Sequence, residues 1–332
     1  MNKFRLLKTI LGDLQCKPPR LSATCYAPTN IALVKYWGKR NEQFNLPVTA
    51  SLSLTLPDFG TTTTLKIIDA DHDQLILGSV VLAPGDPMVQ RISAFLDIFR
   101  PYTHHYYQIV TQNTLPIAAG LASSASGFAA LTLALNQLYD WQLDRETLSM
   151  LARFGSGSAC RSFWEGFVVW HRGRYRNGFD SKGKFFAPAW PELCLGLLVI
   201  NATPKLLSSR HGMQQTVQTS KLYQGWKLQV LEDLAQMQQA ILAKDFEVLG
   251  TIAEANALTM HATMMSSRPP IVYSISETWQ FIERIWELRR QGIAIYFTQD
   301  AGPNIKLLFL EHDLHTVIRH FPEIQIQKFK AV

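Results

Sequence analysis

The chain has 332 residues, a formal net charge of +6 and 47% hydrophobic residues. That length suits two ordinary domains better than one, and the apolar content excludes global disorder. No apolar run reaches the roughly 18 residues that span a bilayer, which argues against a membrane partner. The positive charge is spread without a dense Lys/Arg run; it fits phosphorylated small molecules as well as any nucleic acid, and no nucleic-acid partner is expected. Cys16, Cys25, Cys160 and Cys194 form no Cys-x-x-Cys pair, so neither a zinc site nor a disulfide framework is indicated, and the reducing cytoplasm is the expected compartment.

In chain order, residues 1–22 are basic, broken by Pro18 and Pro19, and read as an extension before the folded part. Ser51–Leu56 alternates with period two and Thr61–Ile68 is β-branched, which predicts two strands, with a third at Tyr106–Thr111. Phe128, Leu131, Leu135 and Leu138 recur at helical spacing and predict a helix over 124–139. Asp144 is placed to cap a second helix, and Gly166–Trp170 is strand-like. Residues 172–191, rich in Gly, Pro and basic side chains, read as a connection. Beyond it, Leu193–Asn201 predicts a strand, and 222–244, 246–264 and 275–290 predict helices. Ile293–Thr298 and Ile305–Leu310 then form strands around the turn Asp300-Ala-Gly-Pro-Asn304. The pattern predicts an α+β fold with domains at 23–190 and 191–332.

Four segments can carry chemistry. Pro116–Ser126 places Gly120 before a helix start with Leu121, Ala122, Ser123, Ser124 and Ser126, where free N–H groups and hydroxyls suit a phosphate; a Ser-rich helix cap is the plainer alternative. Asn30–Lys39 is strand-like, with Lys35 on the same face as Leu33, which pure packing does not explain, and Tyr36, Trp37, Gly38 and Lys39 follow it. Gly155–Arg161 alternates glycine and hydroxyl through Ser156, Gly157 and Ser158 before Ala159, Cys160 and Arg161, a pattern able to hold a diphosphate and fork onto a carboxylate. Asp300 ends an apolar strand beside Gly-Pro, as a turn former or a catalytic base.

Taken together, Asn30–Lys39, Ala118–Ser126, Gly155–Ser162 and Asp300–Asn304 resemble the GHMP small-molecule kinases, and within that superfamily the diphosphomevalonate decarboxylases, from about Ala23 to about Leu310. The resemblance implies a GHMP-kinase-like fold, with an N-terminal domain like ribosomal protein S5, a ferredoxin-like C-terminal domain and a cleft between them. It implies ATP and Mg²⁺ as co-reactants and a phosphorylated hydroxy acid as substrate, decarboxylated in an ATP-dependent step to isopentenyl diphosphate. Asp300 would orient the 3-hydroxyl and accept its proton, Arg161 would hold the carboxylate, and Lys35 would sit near the reacting hydroxyl. Ser124 would orient the ATP phosphates with Pro116, Gly120 and the rest of that loop. Asn30, Tyr36, Lys39, Ser156 and Ser158 would hold the other end of the substrate, with Ser209 and Arg210 on a substrate-side loop. A homodimer is implied by the resemblance alone. Departures are Phe154, where arginine commonly precedes the glycine–serine loop, the longer extension through Thr24, and an end soon after Lys330 without the longer C-terminal segment of many relatives. A monophosphate-preferring decarboxylase, a kinase of the same fold and a catalytically silent binder are the competing readings.

Overall fold

A computed structural model of the chain describes residues 3–12, 18–100, 104–114, 123–201, 203 and 207–330, with only the backbone of Phe4 and Ser123. The expectation for the N-terminus is the first to change. Lys3–Leu11 is a helix, α1, whose Leu6, Leu7 and Leu11 are fully buried in the same core as Phe44, Phe128 and Phe154. The intervening Lys8 and Thr9 lie outward, as the periodicity of a helix with one buried face requires. Burying three leucines contributes on the order of 1.5–3 kcal/mol each, enough to seat a helix this short.

The larger sheet is built on β1 (Ser22–Val34) and β4 (Ser51–Ile68), with the hairpin β2 (Lys39–Asn41) and β3 (Leu46–Pro47) between them. Strands expected separately at 51–56 and 61–68 are one strand. Pairing passes from Pro28 opposite Gly60 to Thr29 opposite Leu56, so Pro57, Asp58 and Phe59 bulge out of the ladder and the strand resumes beyond them. β1 follows one edge of β4. The other edge is shared by β7 (Tyr106–Asn113) on Thr61–Ile68 and β8 (Phe167–Trp170) on Ser51–Leu54. β5 (Gln74–Leu77) lies parallel to β7, after which come β6 (Val80–Val81) and the crossover helix α2 (Pro87–Leu96). Helix α3 (Ser123–Leu138) packs across β1 and β4, its buried alanines allowing close approach. Asp144 caps α4 (Arg145–Ala152), accepting from the Thr147 amide at 2.9 Å. The stretch read as a connection contains a further strand, β9 (Gly183–Ala187), paired to β8.

The second sheet has the order β11 (Ile295–Gln299), β12 (Ile305–Leu310), β10 (Leu193–Leu198), β13 (Gln325–Lys328). The helices of this half are α5 (Ser209–Thr219), α6 (Tyr223–Ala243), α7 (Phe246–Met265), α8 (Ser276–Arg290) and α9 (Leu314–His320); α7 and α8 pack against β11, and Val317 of α9 shares the core of this sheet with α8. Helix α7 lies against both β11 and β1, and one apolar core runs from Ile31, Leu33 and Leu52 through Leu195 to Leu249 and Met260. The ends of β1 and β11 therefore meet at the seam between the two sheets.

Candidate active site

Lys35 follows β1 directly, and its side chain turns inward with the residue 1% exposed. Its amide donates to Asn256 Oδ1 at 2.8 Å, and Asn256 Nδ2 donates to Asp233 Oδ2 at 2.7 Å, so α7 and α6 fix where β1 ends. Lys35 Nζ donates to the Ala32 carbonyl at 2.8 Å and to Asp300 Oδ1 at 2.9 Å. Asp300 sits in the β11–β12 turn, and from β12 Lys306 brings its Nζ to 3.0 Å from the other oxygen, Oδ2. Both lysine side chains are 2% exposed, whereas the Asp300 side chain is 29% exposed. The carboxylate is thus clamped from behind and open in front.

The electrostatics follow from that geometry. Burial pushes the Lys35 ammonium down to about 8, and the neighbouring Asp300 charge limits the fall. For Asp300, burial alone would raise the pKa, but Lys306 and Lys35 outweigh it and hold the carboxyl well below the usual range. His261 Nε2 lies 3.1 Å from the Asp300 carbonyl oxygen. A carbonyl only accepts, so that nitrogen carries the proton; burial lowers the imidazole to about 4 and keeps it neutral.

Opposite this clamp, α4 gives way to the Gly155–Arg161 loop, which ends in a 3-10 turn at Gly157–Arg161. Gly155 is required by packing: a Cβ there would lie 2.1 Å from the Phe128 ring of α3. Ser124 at the start of α3 lies 3.4 Å from Ser156, which lies 3.2 Å from Ser158, giving a row of hydroxyls from the helix start into the loop. Arg161 is 3% exposed and is aimed by two bonds, to Asn30 Oδ1 at 3.3 Å and Ser51 Oγ at 2.7 Å. Among the described residues it has no ion-pair partner. Asn30 completes the frame by donating to the Ser158 carbonyl and to Ser162 Oγ.

The clamp and the loop face one another across a cleft of about 460 Å³. Its lining carries the cations Lys35, Lys39, Arg91, Arg161 and Arg210 against one carboxylate, Asp300. A second, more apolar cavity of about 180 Å³, lined by Met88, Ile92, Phe128 and Leu131, adjoins it at Arg91 and Ser124.

Comparison with known proteins bears on the same residues. Residues 27–182 match the diphosphomevalonate decarboxylase-like N-terminal domain, and 195–330 match the mevalonate 5-diphosphate decarboxylase C-terminal domain. The chain belongs to the diphosphomevalonate decarboxylase family. It is 38% identical to a diphosphomevalonate decarboxylase of Candida albicans, over 91% of this chain and 89% of that protein. The mevalonate diphosphate decarboxylase structure from Staphylococcus aureus superposes with a TM-score of 0.86 at 38% identity, covering 94% of this chain and 96% of that one. A structure described as MDDEF in complex with MVAPP, AMPPCP and magnesium gives 0.86 at 39% identity, over 92% and 96%. The α+β architecture is accordingly that of the GHMP-type decarboxylases.

Of the residues singled out from sequence, Asn30, Lys35, Tyr36, Trp37, Lys39, Ser124, Ser156, Gly157, Ser158, Arg161, Ser209, Arg210 and Asp300 all line the one cleft. The Tyr36 hydroxyl is buried and unpartnered among the described residues, an unused donor at the cleft wall. Others are turned elsewhere. Ala159 and Cys160 are fully buried, and Cys160 Sγ donates to the Ser149 carbonyl. Ser126 is 1% exposed and bonds Thr61 Oγ1, fastening α3 to β4. Gly38, at φ 108°, leaves room for Tyr223, whose hydroxyl donates to the Trp37 carbonyl. Pro116, Gly120, Leu121 and Ala122 lie outside the described residues, as does the Ser123 side chain. One residue before Phe154, Arg153 is wholly buried, with its guanidinium on the carbonyls of Phe44, Gly178 and Ser181.

Sequence reading missed Lys306, His261, Asn256 and Arg91. A single lysine in the apolar run Ile305–Leu310 was the available signal for Lys306, the same one that marked Lys35. Arg91 carried none, being an ordinary helix residue until α2 brings its Nη2 to the Gly155 carbonyl at 3.0 Å and its guanidinium over Phe128. The donor set also bears on magnesium. Among the described residues no three His, Cys, Asp or Glu side chains gather to hold a metal, and the cleft's one carboxylate is engaged by two lysines. Hydroxyls at Ser124, Ser156 and Ser158 fit an ion bound chiefly by nucleotide phosphates and water, as Mg²⁺ commonly is.

Proposed function

We propose that this protein catalyses the ATP-dependent decarboxylation of mevalonate 5-diphosphate to isopentenyl diphosphate, with release of ADP, phosphate and CO2. The observation that carries the reading is the arrangement of charge: one ionised carboxylate, clamped by Lys35 and Lys306, shares a cleft with five lining cations, among them the buried Arg161, which has no ion-pair partner among the described residues. A buried guanidinium without a counter-ion is costly, and a substrate carboxylate would offset that cost with a bidentate pair. A kinase whose alcohol substrate carries no carboxylate has no use for such a group.

The residues divide the work as follows. Asp300 accepts a hydrogen bond from the substrate's tertiary hydroxyl and aims its oxygen at the γ-phosphorus of ATP. Held below its usual pKa, Asp300 is a weak base, so its part is orientation, with the hydroxyl proton passing late in the loose phosphoryl transfer to an oxygen of the transferred phosphoryl group. Lys35, protonated below about pH 8, offsets charge on the transferring group. Ser124 and the start of α3 hold the ATP phosphates, and Mg²⁺ supplies further neutralisation there when bound. Once the hydroxyl is phosphorylated, the C–O bond breaks as phosphate leaves. The electrons of the carboxyl C–C bond form the alkene, and CO2 departs from beside Arg161. Lys39, Tyr36, Ser156, Ser158, Ser209 and Arg210 receive the diphosphate.

We further place the domain boundary between residues 190 and 191, and the protein in the cytoplasm as a homodimer; sedimentation of the purified chain tests the last point. The main test supplies ATP and Mg²⁺ with mevalonate diphosphate or monophosphate, measuring ADP and CO2 together. Equal release of both, with the diphosphate preferred, is expected. ADP without CO2 would return the protein to the kinases, and neither product would leave it a binder.

A further inference from the structure

We infer that α1 flanks the substrate cleft and that Lys3 is a specificity-determining cation for the substrate's diphosphate end. The inference rests on the function proposed above, and its starting point is a helix outside both matched family domains. Leu6, Leu7 and Leu11 anchor α1 in the core that holds Phe44 and Phe154. That seating directs the start of the helix toward the glycine–serine loop. Lys3 Nζ lies 5.2 Å from the centre of the Phe154 ring, and Phe154 immediately precedes Gly155-Ser-Gly-Ser.

The charges around Lys3 point the same way. Burial, and then the positive charges of Arg210, Arg153 and Lys39, push its pKa down. Lys39 and Arg210 both line the cleft, and the acidic group on Lys39 is the largely exposed Glu42, at 2.8 Å. A fold that buries three leucines to bring one more ammonium into a cationic cluster loses stability to repulsion unless an anion arrives. A dianionic diphosphate seated on Ser156, Ser158 and Lys39 meets that need. Lys3 is half-buried against an aromatic face, which lowers the entropy cost of holding its long side chain.

The test compares wild type with Lys3→Gln and Lys3→Arg in the full chain. For Lys3→Gln, KM for mevalonate diphosphate is expected to rise about fivefold, as befits one partly exposed charge contact. KM for ATP and kcat should stay within about twofold, and Lys3→Arg should recover most of the loss. Calorimetry with inorganic pyrophosphate, which needs no turnover, should show the same weakening, more strongly at low salt. A rise in KM for ATP instead, or unchanged substrate KM and pyrophosphate affinity, would overturn the inference while leaving the decarboxylase reading intact. If wild type turned over no substrate but bound pyrophosphate in a Lys3-dependent way, the function would fall and the anion site would stand.

Discussion

Replacing Lys306 by Met tests whether Asp300 works by position or by basicity. Methionine keeps the volume and the apolar stem, removing the bond from Nζ to Asp300 Oδ2 at 3.0 Å. That bond is buried and charge-assisted, worth about 1.5–3 kcal/mol where it is fully used. Asp300 keeps Lys35 on its other oxygen, so it stays ionised at neutral pH but is free to rotate. If the clamp serves to hold the carboxylate in line, the lost energy falls on the chemical step and kcat drops roughly ten- to a hundredfold at about 1.4 kcal/mol per decade. KM for ATP should change by less than about threefold. Lys306 also helps to lower the Lys35 pKa, so its removal should move the alkaline limb of the rate profile upward from about pH 8. The assay is steady-state release of ADP and CO2 across pH 5.5–10, roughly the range in which such groups titrate. If Asp300 were a general base, losing a neighbouring cation would make it more basic; a variant as fast as wild type, or faster, would refute the positional role.

Other consequences follow from the same geometry. Asp300→Asn should abolish turnover, and it should also cost about 3–5 kcal/mol of stability because two buried ammonium groups lose their counter-charge. An unchanged Tm by calorimetry would show that the lysines are not charged in the folded protein. In wild type, activity should decline as pH rises through about 8, where Lys35 loses its proton, and Asp300 should add no acid limb in the usual carboxylate range because its pKa lies well below it. A profile with an acid limb near pH 4–5 that vanishes in a variant of Asp300 would contradict this. Gly38→Ala would place a Cβ 1.9 Å from the Tyr223 hydroxyl at φ 108°, so stability should fall by about 2 kcal/mol or more with a raised substrate KM; a Tm equal to wild type would show that this close approach is dispensable.

The sequence by itself determined a good deal. Helical spacing located α3, α6, α7 and α8, because burial on one side of a helix leaves a local record. Lys35 betrayed itself as a charge on an apolar face, and the glycine–serine run and the Asp300 turn were legible as backbone chemistry. The tertiary structure alone decided what those pieces do to each other. Lys35 and Asp300 are 265 residues apart in the chain, and no local pattern encodes a 2.9 Å bond across that distance. Lys306 holds the second oxygen of the carboxylate that sequence marked as a candidate base, and α7 supplied His261 and Asn256 from a helix that reads as plain core. Helix α1 read as an extension before the folded part; once wound, the helix sets Lys8 and Thr9 outside and the leucines in the core. Periodicity is written into the chain, while the meeting of two sheets at a charged seam exists only after the chain has folded.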